Sequence, residues 1–330
     1  MKTCKKIIAL VSAALIAITV LSSCTKNGTD VKNGETYNKK YSVVCSSFPQ
    51  YDWVRTLLGN RISEYNMILL SGKGADMHSY QPTAEDMKDI AAADMFIYVG
   101  GVSEKWADGV IKSVGTDKTV FVSMTEVLGS AVREEETALE AEHGDHEHGD
   151  GEPEYDEHVW LSLKNAEKLT AYIASVLAKL DPDGKETYEN NLKEYLLQLA
   201  ALDAEYKKAV ENGKRDTVIF ADRFPFLYMM KDYGINYHAA FTGCSAESEA
   251  SFKTITALSR AADEIKTDTL LVTETSDGSI ADAVISGMTE KGCRKAVMNS
   301  MQSVKTADAA GETYLGVMKS NLESLKKALG

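Results

Sequence analysis

Six histidines are spread over 330 residues, and two of them stand where a metal could be held. His78 lies in Ala75-Asp76-Met77-His78-Ser79-Tyr80-Gln81-Pro82-Thr83, between an apolar run that reads as a strand and a segment that reads as a helix. His158 lies in Asp156-Glu157-His158-Val159-Trp160, just past an acidic stretch. Open α/β sheets bind ligands at the carboxyl ends of their strands, where a loop such as that of His78 would sit. Imidazole suits zinc at about 2.0–2.1 Å, in a tetrahedral set of nitrogen and oxygen donors. Each histidine taken alone also fits a surface or capping role. A third group, at 142–150, places His143, His146 and His148 among four carboxylates within nine residues. Such tracts bind borderline metals weakly and without fixed geometry, although an acidic solvated loop would read the same way. His238 reads as structural. The chain has no CxxC pair, which excludes a cysteine zinc knuckle, and no HExxH helix of a metalloprotease.

The elements that must position these residues show in the apolar periodicity. Strand-like runs at 41–45, 66–70, 95–99 and 119–122 alternate with helical spacing, such as Val54, Leu57 and Leu58, or Met87, Ile90 and Ala91 behind a Thr83 cap. That alternation predicts a parallel sheet covered on both faces. Residues 132–155 break the pattern and read as a mobile loop. Leu169, Ile173, Val176, Leu177 and Leu180 then mark an amphipathic helix stopped by Asp181-Pro182. A longer helix follows, with Tyr188, Tyr195, Leu199, Leu202, Tyr206 and Val210 among its apolar positions and Gly213 at its end. It would be roughly 40 Å long, enough to bridge two lobes. The α/β alternation restarts with strands at 217–220, 237–241, 269–273 and 296–298, and helices at 226–233, 252–265, 281–289 and 314–329.

Composition is that of an ordinary globular chain, 44% hydrophobic and 26% charged. Net charge is −13, and loss of the three lysines in residues 1–23 would take it to −16. An acidic surface argues against nucleic acid or anionic lipid as a partner. At the N-terminus Lys2, Lys5 and Lys6 precede an apolar run at 7–21, which is shorter than the roughly 20 residues of a membrane span. Small residues close it, so it reads as a cleaved signal. Residues 24–40 are polar and rich in Gly, Asn and Lys, and read as a flexible tether. Cys45, Cys244 and Cys293 remain in the folded part, compatible with one disulfide or with buried free thiols.

Leu21-Ser22-Ser23-Cys24 resembles a bacterial lipoprotein signal, which implies lipid attachment at Cys24. ADMHSYQPT and DEHVWLS resemble the two first-lobe metal motifs of the zinc and manganese ABC-transporter solute-binding lipoproteins. SSFPQYDWV, the long central helix, NSMQSV and the closing helix at 314–329 are similar as well, so the resemblance covers 41–329. It implies two parallel-sheet α/β lobes joined by a long rigid backbone helix, with the metal between them. His78 and His158 would be the first-lobe ligands. The family's second lobe adds a His or Glu after its first strand, where this chain has Ala221, and a carboxylate after a later strand, where Glu274 matches. Asp222 turning inward, Cys244 or water could complete the shell, with Asp222 preferred; an imidazole placed at 221 would restore a nitrogen donor. Glu247 and Glu249 would be structural. The histidine-rich loop tilts the metal toward zinc.

The organisation expected is a signal peptide at 1–23, a tether at 24–40, a first lobe at 41–165 holding the loop at 132–155, connecting helices at 166–214 and a second lobe at 215–330. The function expected is capture of Zn(II) outside the cytoplasmic membrane and delivery to an ABC-transporter permease by a lipid-anchored monomer. The same role for Mn(II) is the alternative. A secreted zinc hydrolase using His78, His158 and Glu274 is disfavoured for want of a general base beside a metal-bound water. An adhesin or a binder of an organic chelate would not need the two histidine motifs. Cys24→Ser should abolish membrane attachment and leave metal binding unchanged, checked by membrane fractionation with a high-salt wash.

Overall fold

A computed structural model describes residues 31–32, 35–36, 39–72, 74, 76–115, 118–136, 155–244 and 249–330. The signal segment with Cys24, the histidines at 143, 146 and 148, and Glu247 lie outside the described residues. The chain divides into two compact units, Met1–Lys39 and Lys40–Gly330. In the first, β1 (Val31–Lys32) pairs antiparallel with β2 (Glu35–Thr36). The sequence reading expected no structure in this segment. It passed over Asn33-Gly34, the residue pair that most strongly favours a two-residue hairpin.

The second unit carries two four-stranded parallel sheets among its described residues. The first contains β3 (Tyr41–Cys45), β4 (Tyr65–Leu69), β5 (Met95–Tyr98) and β6 (Val120–Ser123) in the order β4-β3-β5-β6. Its helices are α1 (Phe48–Leu58), α2 (Ala84–Ala92), α3 (Trp106–Val114) and the short α4 (Met124–Leu128). Then α5 (Leu163–Leu180) and α6 (Lys185–Asn212) lead to the second lobe. That lobe contains β7 (Thr217–Phe224), β8 (Asn236–Thr242), β9 (Thr269–Thr273) and β10 (Arg294–Met298) in the order β10-β9-β7-β8. Helices α7 (Leu227–Tyr233), α8 (Phe252–Glu264), α9 (Ser279–Gly287), α10 (Thr306–Ala309) and α11 (Tyr314–Leu329) complete it. The sequence pattern did not resolve α3. It also ended β7 at Phe220, whereas the strand continues to Phe224 through a bulge between Phe220 and Arg223.

Side chains alternate across each sheet as period-2 geometry requires. Val43, Cys45, Met95 and Ile97 of the first sheet and Val218, Phe220 and Leu271 of the second join one large apolar cluster. Val44, Phe96 and Tyr98 face a separate cluster outside the first sheet, and Ile219, Ala221, Leu270 and Val272 face another outside the second. The shared cluster is closed by α6, whose 28 residues span about 42 Å and bury Tyr188, Tyr195, Leu199, Leu202 and Tyr206. Both lobes thus share one core, which ties their relative position to packing.

Polar ties lock the same helices. The buried Asp181 at the end of α5 accepts from Tyr41 Oη at 3.2 Å, Tyr188 Oη at 2.5 Å and Arg61 Nη2 at 2.7 Å. Asp52 in α1 accepts the first amide of α11, from Tyr314, at 2.7 Å and pairs with Arg55. Arg55 in turn donates to the carbonyls of Ala309 and Glu312. Asp52→Ala would leave a buried amide and a half-buried guanidinium without their shared acceptor. It should cost about 3 kcal/mol, read as a lower urea midpoint at unchanged slope.

Candidate metal centre

His78 sits on a single helical turn, Met77–Ser79, in the loop between β4 and α2. Asp76 caps that turn by accepting the His78 amide at 3.0 Å, and Met77 anchors it in the core. The Nδ1 atom of His78 meets Ser103 Oγ at 2.7 Å and lies 3.8 Å from Glu157 Oε2. Its Nε2 atom faces His158. Burial, then the nearby His158 ring, lower the His78 pKa to about 3, so at neutral pH its imidazole is uncharged and able to bind a cation.

His158 is fully buried at the start of the turn Val159–Leu161. Asp156 Oδ1 accepts both its amide, at 2.8 Å, and its Nδ1–H, at 3.0 Å. A carboxylate on Nδ1 fixes the tautomer and leaves the Nε2 lone pair free for a metal. Tyr228 Oη of α7 donates to the Asp156 carbonyl at 2.8 Å and holds the turn from the other lobe. Trp160 Nε1 donates to the Ser300 carbonyl at 2.9 Å and draws the loop after β10 onto the same turn.

The two Nε2 atoms are 3.1 Å apart. Two nitrogens on one tetrahedral zinc would be about 3.3 Å apart. The imidazoles therefore already hold the separation that a shared zinc would impose. His78 borders a cleft of about 600 Å³, with Asp76 and Glu157 on the first-lobe wall and Arg223 and Cys244 on the second. Arg223 Nη2 spans it to Asp76 Oδ2 at 3.0 Å.

From the second lobe, Cys244 Sγ forms one group with the two histidine nitrogens, all within 4.8 Å of one another. Burial pushes its thiol pKa up. Cys45, Cys244 and Cys293 are all free thiols. Gln302 reaches the pair as well, its Nε2 2.8 Å from His78 Nε2 and in contact with His158 Nε2. Glu274 is connected through Ser300, whose amide and hydroxyl donate to its two oxygens at 2.8 and 2.7 Å. Ser300 Oγ also lies 3.0 Å from Gln302 Oε1. Asp222 lies elsewhere: one oxygen accepts from Thr273 N and Oγ1, and the other from the Arg223 amide. It straps β7 to β9. Ala221 is fully buried in the apolar cluster with Leu258, Ala262, Ala281 and Val284. An imidazole there would be forced into that core instead of the cleft and, contrary to the expectation from sequence, would restore no donor.

The profile of a family described as zinc-uptake complex component A, periplasmic, matches residues 43–328. The chain belongs to this family. It is 29% identical over 309 residues to the high-affinity zinc uptake system protein of Bacillus subtilis, covering 93% of this chain and 92% of that one. It is 29% identical over 315 residues to the zinc-binding lipoprotein AdcA of Streptococcus pneumoniae serotype 4, covering 94% of this chain and 60% of the relative. The chain thus spans under two thirds of that relative's length. Among solved structures, the Zn(II)-bound domain of S. pneumoniae AdcA superposes with a TM-score of 0.68 at 27% identity, covering 88% of this chain and 99% of that one. None of these names is that of an enzyme.

Within this family frame, sequence reasoning missed Gln302 as a contact, although it sits in the quoted NSMQSV, and missed Asp156, Ser103 and Glu157 as supports. Asp156 was detectable, because an acid two residues before a turn histidine can reach both its amide and its ring. Ser103 was not, because only β5 brings residue 103 beside residue 78.

Beneath the His78 wall lies a second acid, Glu104, which accepts from the Val99 and Gly100 amides at 2.6 and 3.0 Å. Burial raises its pKa to about 7, with the Glu157 charge adding to the shift. Folding therefore favours its protonated form. Stability of the metal-free protein should fall as pH rises from 5 to 8, by about 2–3 kcal/mol for this group. Glu104→Gln should remove that slope, checked by urea unfolding at each pH.

Proposed function

We propose that this chain captures Zn(II) outside the cytoplasmic membrane and delivers it to an ABC-transporter permease as a monomer anchored by lipid on Cys24. The observation that carries the capture reading is the pair of opposed Nε2 atoms, with one back nitrogen held by Asp156 and the other by Ser103. The zinc-binding names of the relatives support the choice of metal. Two imidazoles favour zinc over manganese, which prefers an octahedral oxygen shell. The domain limits inferred from the sequence, and the histidine-rich loop as a weak collecting site, belong to the same reading.

In this reading His78 and His158 are the first-lobe donors and Glu274 is the second-lobe carboxylate. Gln302 is poised to answer the charge. Its amide nitrogen now faces both Nε2 atoms, a contact that a cation between them would make repulsive. Ser300 has one hydroxyl proton and gives it to Glu274, so its remaining lone pairs can accept from the Gln302 amide. Rotating that amide by half a turn would put Nε2 on Ser300 and the carbonyl oxygen toward the metal. Only one side chain need turn.

His78→Ala and His158→Ala should each weaken zinc binding more than tenfold, at least 1.4 kcal/mol. Asp156→Ala, which frees the His158 ring and its amide, should cost about 10- to 100-fold. Zinc titration calorimetry against each variant is the test, and unchanged affinity in both histidine variants would overturn the capture reading.

A further inference from the structure

We propose that Cys244 supplies a thiolate to the captured metal, adding one sulfur to the two imidazoles and the Glu274 carboxylate. The inference rests on the zinc-capture reading and identifies a donor from the second lobe. Cys244 Sγ lies within 4.8 Å of a ring nitrogen of each histidine, whereas an N···S edge on a tetrahedral zinc is about 3.5 Å. A shift on the order of 1 Å closes the gap.

The local fold carries the cysteine to that place. β8 ends at Thr242, and the chain then crosses the edge of the His158 ring. Gly243 makes the crossing possible: a Cβ there would stand 3.0 Å from His158 Cε1 and 2.8 Å from the Phe224 carbonyl. Residue 244 is fixed from behind, its amide donating to Glu135 Oε1 at 3.0 Å. Asp222 and Ala221, the candidates at the first strand of the second lobe, are engaged elsewhere. Asp222 straps the sheet and Ala221 faces the apolar core.

On binding, the S–H bond breaks, a metal–sulfur bond forms and the proton leaves to solvent, with no change of oxidation state. A soft thiolate beside two imidazoles suits zinc and disfavours manganese and magnesium. Cys45, buried in the core, and Cys293, at the start of β10, are internal controls.

The test uses the full chain loaded with Co(II), then with Zn(II). The wild type and Cys293→Ser should show intense sulfur-to-cobalt charge-transfer absorption in the near ultraviolet. Cys244→Ser should lose it and bind zinc at least tenfold more weakly. In the unaltered protein, zinc should also slow alkylation of Cys244 followed by mass spectrometry, a readout independent of whether the variant folds. If cobalt binds with no charge-transfer band, or Cys244 alkylates at one rate with and without zinc, the thiolate is overturned while capture by the histidines stands. If the histidine variants also bind zinc unchanged, the capture reading falls with it.

Discussion

Two imidazoles hold their Nε2 atoms 3.1 Å apart in a largely buried site, and the rest of the structure follows from that constraint. Two lone pairs at that distance repel unless a proton or a cation lies between or beside them. Protonation is resisted at His78, because burial and the second ring oppose a charge there. Rotation of His158 is resisted by Asp156, which grips its ring and its amide with one oxygen. The pair is therefore held with its donors ready, and the Gln302 amide gives it partial relief.

Such an arrangement costs stability locally and needs a rigid frame. Burying uncompensated polar atoms is unfavourable, and Glu157 Oε2 beside His78 has no hydrogen-bond partner of its own. The frame comes from the core common to both sheets. Tyr314 shows how it reaches the site: its amide is held by Asp52 of α1, and its hydroxyl donates to the carbonyl of Trp160, two residues past His158. Trp160 then holds the Ser300 carbonyl, and Ser300 holds Glu274. One line of hydrogen bonds thus runs from the first lobe's helix, past the His158 turn, to Glu274 of the second lobe. Displacing the lobes would break several of these bonds together.

Much of this was legible in the sequence, for identifiable reasons. Parallel strands buried on both faces leave continuous apolar runs, and the α6 pattern of Tyr188, Tyr195, Leu199, Leu202 and Tyr206 matches one face of a single helix. The two histidine motifs are local, and each brings its own cap, Asp76 or Asp156, so context alone marked both residues. What stayed hidden was long-range. Ser103 against His78 and Gln302 against both rings depend on where distant loops end, which no spacing along the chain encodes.

Position 221 shows the limit most clearly. Linear matching placed Ala221 where a metal ligand was expected and asked which neighbour replaces it. In the fold, β7 pairs with β8 in register at Phe220 and Ala239, and again at Arg223 and Phe241. Two residues on β7 therefore oppose one on β8, a bulge that shifts which side chains leave the strand on which face. The alanine enters the outer core, Asp222 turns to Thr273, and Arg223 crosses to Asp76. A side chain large enough to reach the cleft from 221 would have to displace the packing of α8 and α9. The sulfur that joins the histidine group comes instead from the end of the neighbouring strand, where Gly243 lets the backbone pass over the ring and Cys244 follows. A bulge of one residue moves the chemistry to another strand, and only the paired register reveals it.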